Sequence, residues 1–142
     1  MGDVIAIVSS QEIIPTERLL EVIQKAGGYR DPDEVTGHLA YSEQGSHIWI
    51  HLDDTILPCI AAENPEEFAQ ITKKLGGEPR TSIAVEIDSA PGSQTLAIDF
   101  ACICATTWPC VVDTLEEDFQ VFSLAEIMQM RMQGKTFADY AR

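Results

Sequence analysis

One segment limits the fold of this chain more than any other. From Ser93 to Thr107, the residues Leu96, Ala97, Ile98, Phe100, Ala101, Ile103, Cys104 and Ala105 leave a helix almost no polar face. A helix that is apolar nearly all round has to be central and covered by other elements. Its polar stripe is reduced to Thr95, Asp99, Cys102 and Thr106, with Ser93 placed to cap it and Pro109 to break it. Such a helix needs a sheet beneath it.

Strands are present to build that sheet. Val4 to Val8 is a short apolar run that reads as a buried strand. Pro15 suits a first helical turn, and Leu19, Leu20, Val22, Ile23 and Ala26 follow at helical spacing until Gly27-Gly28. Leu39 and Tyr41 alternate in one run and Ile48, Ile50 and Leu52 in the next, with Gln44-Gly45 as the hairpin turn between them. In that register Ser42 faces His47, Ala40 faces Trp49 and His38 faces His51. Ile56 to Ile60 contains Pro58 and reads as an edge strand.

Further along, Asn64, Pro65 and Glu67 form a capping box for a helix carrying Phe68, Ile71 and Leu75, closed by Gly76-Gly77. Ile83, Val85 and Ile87 point to one face of a strand. Cys110 to Val112 and Val121-Phe122 supply two more strands. Ser123 and Glu126 then cap a last helix with Leu124, Ile127, Met128 and Met130, and Phe137 and Tyr140 fold the tail back. The pattern does not repeat βαβ strictly. It predicts one acidic α+β domain over residues 1–142, with a mixed, mainly antiparallel sheet of about five to seven strands and about four helices.

Charge narrows the partners. Twenty-three acids against nine bases give a net charge of −14. From Asp31 to Thr72 there are nine acids and no Lys or Arg, and from Thr81 to Met130 eight acids and again no base. Such a field repels nucleic acid and attracts basic proteins. No apolar run reaches the ~18 residues of a membrane span. The start MGDVIAIVSS lacks the basic head and long apolar centre of a secretion signal. Cys59, Cys102, Cys104 and Cys110 form no CxxC pair and read as reduced thiols of a cytoplasmic protein.

Handles for catalysis are scarce. The chain has no phosphate-binding glycine loop, no Gly-x-Ser-x-Gly and no His-Glu-x-x-His, and no catalytic residue, cofactor or metal site is expected. His38 and His51, with Trp49, share the hairpin face opposite the aliphatic residues. A metal there lacks further ligands at a diagnostic spacing, so the face is either covered by a helix layer or left as an aromatic patch beside Asp53-Asp54. Cys102 and Cys104 point about 200° apart on a helix and cannot chelate one ion together. Cys102 reads as a buried apolar residue, and Asp99 as a rim or hydrogen-bonding carboxylate rather than an acid catalyst.

Four segments then carry a resemblance: Gly27-Gly28-Tyr29-Arg30, His47-Ile-Trp-Ile-His51, Leu75-Gly-Gly-Glu-Pro79, and Phe100 through Trp108-Pro-Cys-Val-Val-Asp113. Over about residues 25–113 the chain resembles the small acidic immunity proteins of bacterial polymorphic-toxin systems, those of contact-dependent inhibition, Rhs or type VI machinery. The resemblance implies a cytoplasmic inhibitor that binds the enzymatic domain of a cognate toxin, often a nuclease, at its active site or beside it. Acidic charge fits a basic toxin domain independently of the resemblance. An acidic adaptor or chaperone-like protein, and a small enzyme without a recognised signature, remain as alternatives, and self-association stays open. The expected partner surface comprises Asp31, Asp33, Glu34, His38, Trp49, His51, Asp53 and Asp54, with Glu116-Glu117-Asp118 as the rival.

Overall fold

The apolar segment forms the expected helix, and it lies on one face of a sheet. The computed structural model describes residues 3–30, 37–41 and 45–140. In chain order the elements are β1 (Asp3–Ser9), α1 (Thr16–Lys25), β2 (Tyr29–Arg30), β3 (Gly37–Tyr41), β4 (Ser46–Leu52), α2 (Ile56–Glu63), α3 (Pro65–Leu75), β5 (Thr81–Ile87), α4 (Ser93–Thr107), β6 (Cys110–Asp113), β7 (Val121–Phe122) and α5 (Leu124–Met132), then a 3-10 turn at Phe137–Tyr140. The fold is α+β. The described strands form one seven-stranded sheet in the order β2-β3-β4-β5-β1-β6-β7. Every pairing is antiparallel, so the expected mixed character is absent among the described residues.

Strand parity divides the core in two. Ile5, Ile7, Ile48, Ile50, Ile83, Val85, Ile87 and Val112 pack on the first face against Leu19 and Ile23 of α1, Phe100 of α4 and Ile127 of α5. Ala6, Val8, Val111 and Val121 point the other way and are covered by Leu57 and Ile60 of α2 and Ile71 of α3. Phe100 has no exposed surface, and truncating such a residue costs about 3–5 kcal/mol.

The local reasons are mostly those read from the sequence. Gly27 takes φ 98° after α1, and the Gly28 N–H reaches the Ile23 carbonyl at 2.8 Å, a Schellman stop. Ser123 and Glu126 make both bonds of the capping box at α5. Phe137 is buried, as expected of the returning tail, while the Tyr140 side chain lies outside the described residues.

Three expectations need correction. Ile56–Glu63 is a helix, α2, and not an edge strand, which makes five α-helices among the described residues where about four were expected. Pro58 falls in its first turn, where the missing N–H has no intrahelical partner to lose. The hairpin register also differs: His38 faces Trp49, Ala40 faces His47 and Tyr41 faces Ser46. Ser42 and Gln44 of the expected hairpin lie outside the described residues, while Gly45 takes φ 65°. Finally, Gly92 rather than Ser93 caps α4, at φ 89°. The Ser93 hydroxyl instead accepts a hydrogen bond from the His47 N–H at 2.9 Å, and Ser46 donates to the Pro91 carbonyl at 2.6 Å, which ties the start of β4 to the start of α4.

Candidate functional site

The two faces of β4 differ. Ile48 and Ile50 enter the core, which turns His47, Trp49 and His51 to the second face. There α2 and α3 cover Ala6, Val8, Ala84, Val111 and Val121, and the row through Trp49 stays open. Trp49 is 37% exposed and its ring stacks on His47 with centroids 4.3 Å apart. Across the sheet it pairs with Glu86, which pairs in turn with Val4, and both are exposed. The result is a row of aromatic, carboxylate and aliphatic groups on uncovered sheet. Of the two arrangements left open for this face, a covering helix layer or an aromatic patch, the patch is the one found.

The histidines do not pair as expected. His38 is opposite Trp49 by backbone register, one row away from His51. His51 Nε2 instead lies 3.7 Å from Asp53 Oδ2. Among the described residues no group of three His, Cys, Asp or Glu side chains is placed to hold a metal ion. Asp31, Asp33 and Glu34 lie outside the described residues, as does the His38 side chain.

Asp53 turns the chain from β4 into α2. Its Oδ1 accepts from the Thr55 N–H at 2.9 Å and from the Thr55 hydroxyl at 2.6 Å. Those bonds, with nearby His51 adding to them, hold the Asp53 carboxyl below the usual carboxylate range. Asp53 and Asp54 border a cavity of about 680 Å³ with Ile13, Leu57 and Phe68 among its apolar walls. Glu12 adds a third carboxylate to the lining, and the one cation there, Arg80, is paired with Glu78 at 3.4 Å. Ile13 is 69% exposed. The sequence reading missed this groove because Glu12 and Ile13 sit in a loop with no periodic signal.

A second acidic region lies across α2. Asp113, at the end of β6, has no exposed surface and Glu67 is 7% exposed. Their buried Oδ2 and Oε2 atoms meet no N–H or hydroxyl donor among the described residues, and the hydrogen bond between the two carboxyls is the partner left to them. Burial, followed by the Glu67 carboxyl, pushes Asp113 up to about 8, so at neutral pH the pair holds a proton. Asp113 Oδ1 accepts from the Leu115 N–H at 2.8 Å and anchors the segment that carries Glu116, Glu117 and Asp118. Glu67 is missing from its expected capping role. The Asn64 side chain does accept from the Glu67 N–H, but the Asn64 N–H is already bonded to Ile60.

The other candidates have structural partners. Asp99 Oδ1 meets Arg131 Nε at 2.9 Å and ties α4 to α5. Cys102 is buried in α4, on the opposite side of the sheet from His47 and His51, so no thiol–imidazole pair forms among the described side chains. Burial raises its thiol, raises Cys104 well above the ordinary value and pushes Cys110 up to about 12. Cys59 is exposed, and all four cysteines are unpaired.

No protein family, no curated protein and no solved structure matches the chain. Among the described residues no helix is long and apolar enough to cross a membrane.

Proposed function

We propose that this chain is a cytoplasmic immunity protein, which binds the enzymatic domain of a cognate toxin and neutralises it. The toxin would be a nuclease or another enzyme with a basic substrate groove. The supporting observation is the uncovered strip of sheet around Trp49, set beside an apolar groove bordered by Glu12, Asp53 and Asp54. An aromatic anchor with a carboxylate rim suits a basic cleft, and the net charge of −14 speeds the encounter. Three buried free thiols fit a reducing compartment.

Association kinetics with the purified enzymatic domain of any toxin found encoded next to this chain provide the test. Asp53→Lys with Asp54→Lys slows association and flattens its salt dependence. Trp49→Ala speeds dissociation, at a cost of about 2 kcal/mol or more. If the association rate responds to reversal of Glu116 and Glu117 and not of Asp53 and Asp54, the interface lies on the rival surface. A chain that neither binds that domain nor protects a cell producing it is not an immunity protein.

A further inference from the structure

The segment between β6 and β7 is held at its start by buried groups. Asp113, the last residue of β6, has no exposed surface, and Glu67 of α3 is 7% exposed. The two carboxyls share a hydrogen bond, which requires a proton on one of them. With its other oxygen, Oδ1, Asp113 accepts from the Leu115 N–H at 2.8 Å. Leu115 is the one residue other than glycine with positive φ among the described residues, at 59°. A side chain makes that conformation unfavourable, so it persists only where the surroundings hold it. A separate pair of bonds closes the segment. The Thr114 N–H donates to the Gln120 carbonyl and the Gln120 N–H to the Thr114 hydroxyl, both at 3.0 Å.

We propose that the Glu67–Asp113 pair is a proton-operated latch: while it holds its proton Asp113 pins Leu115 in the left-handed conformation, and when that proton passes to water Leu115 is released and the acidic segment Glu116-Glu117-Asp118 moves. Two carboxylates facing each other in a buried site repel and lack the water that would stabilise them. Their neighbours bring no relief. Ala6 of β1 and Val121 of β7, the register partners of Asp113, carry no charge. Beside Glu67 the groove is lined by Cys59 and Glu63 of α2 and by Glu116 and Glu117 of the segment itself, with no Lys or Arg. Lys74 of α3 is held by the Val121 carbonyl at 2.9 Å and by Glu126 at 2.7 Å. Separation of the two carboxyls is the response left, and the Leu115 bond hangs on one of them. The Leu115 N–H itself favours the ionised form of Asp113, but burial and the Glu67 hydrogen bond outweigh it. Their balance puts the titration of Asp113 at about 8, so the latch opens as pH rises through the mildly alkaline range. The latch governs the rival acidic surface and stands whether or not the chain binds a toxin.

The test is an NMR titration of the intact chain from mildly acidic to mildly alkaline pH. It follows the side-chain carboxyl carbon of Asp113 and the backbone carbons of Leu115, Gln120 and Phe122. The Leu115 Cα and Cβ shifts report whether its backbone is left-handed. The expected result is one step shared by Asp113 and Leu115, with a midpoint of about 8, while Gln120 and Phe122 stay in place. Asp113→Asn keeps a donor toward Glu67 and an acceptor for the Leu115 N–H without a titrating proton, so the Leu115 step disappears. Glu67→Gln removes the step from the other side and carries the comparison if the first variant folds poorly. An Asp113 carboxyl that shows no step in this range overturns the latch, as does a Leu115 backbone that stays still while Asp113 titrates. A Leu115 step that survives in Glu67→Gln overturns it too. So does a common step in Leu115, Gln120 and Phe122, which is loss of the fold rather than release of the segment. The titration uses no toxin, so neither result bears on the immunity reading.

Discussion

Beneath α2 and α3 the second face of the sheet carries Ala6, Val8, Ala84, Val111 and Val121, all buried. Along the row that runs through β4, β5 and the start of β1 the same face carries Trp49, Glu86 and Val4, all exposed. The small aliphatic residues let helices approach closely and seal the sheet. A row with indole and carboxylate cannot be sealed that way without stranding polar atoms away from water. One sheet face therefore serves packing on one side and leaves an apolar and polar surface for contact on the other.

Three measurements test that contrast. The largest difference is in stability. Ile71→Ala, in the covered half, removes a side chain with no exposed surface and costs about 2–5 kcal/mol. Trp49→Ala, in the open half, costs about 1 kcal/mol or less. Equal losses in urea unfolding would mean that the open half is packing surface after all.

The second difference is in pH dependence, and it has opposite signs. Asp113, under the covering helices, has its folded value raised to about 8. Its unfolded value is about 4. The folded state therefore binds its proton more tightly. The stability it contributes is full below the ordinary carboxylate range and is lost as pH rises through about 8. Asp53, at the margin of the open half, has its value lowered, and its contribution is present above the ordinary range and lost on acidification. Asp113→Asn should flatten the decline of melting temperature toward alkaline pH. Asp53→Asn should lower the melting temperature at neutral pH and leave the acid limb flatter. A decline that persists in Asp113→Asn assigns it to other groups.

The smallest effect is chemical. Among the four thiols only Cys59 is exposed, beside Glu63 at 3.2 Å. That carboxyl raises its pKa. One cysteine should react with a thiol reagent in the folded protein, slowly, and four after unfolding. Dithiothreitol should leave the melting temperature unchanged. Rapid labelling of Cys102 would show that α4 is less enclosed than its packing indicates.

What the sequence disclosed follows from which signals are local. The helices α3, α4 and α5 were legible from Asn64-Pro65, the all-round apolar run and Ser123-Glu126, because each signal lies within its own element. Helix α2 was not. Its N-cap Thr55 makes no side-chain cap, and a proline near the start suits both a first helical turn and an edge strand. The hairpin shows a partial success. Its register differs from the expected one by two residues, and a shift of two keeps every side chain on its own face. Trp49 was thus placed on the correct face but given the wrong neighbour. The Glu67–Asp113 pair was out of reach because it joins α3 to β6. The capping pattern also offered Glu67 a role that the Asn64 N–H, already bonded, had no need of.

The place of β1 has a consequence for how the chain is made. It leaves the ribosome before every other described strand, yet both of its neighbours, β5 and β6, are encoded far downstream. At ribosomal rates of about 5–20 residues per second, Ile5, Ile7 and Val8 wait roughly 5–20 s before residue 113 is joined to the chain. During synthesis this inner strand of the finished sheet is an apolar peptide with neither edge paired, and a nascent chain that stops after α3 leaves it so.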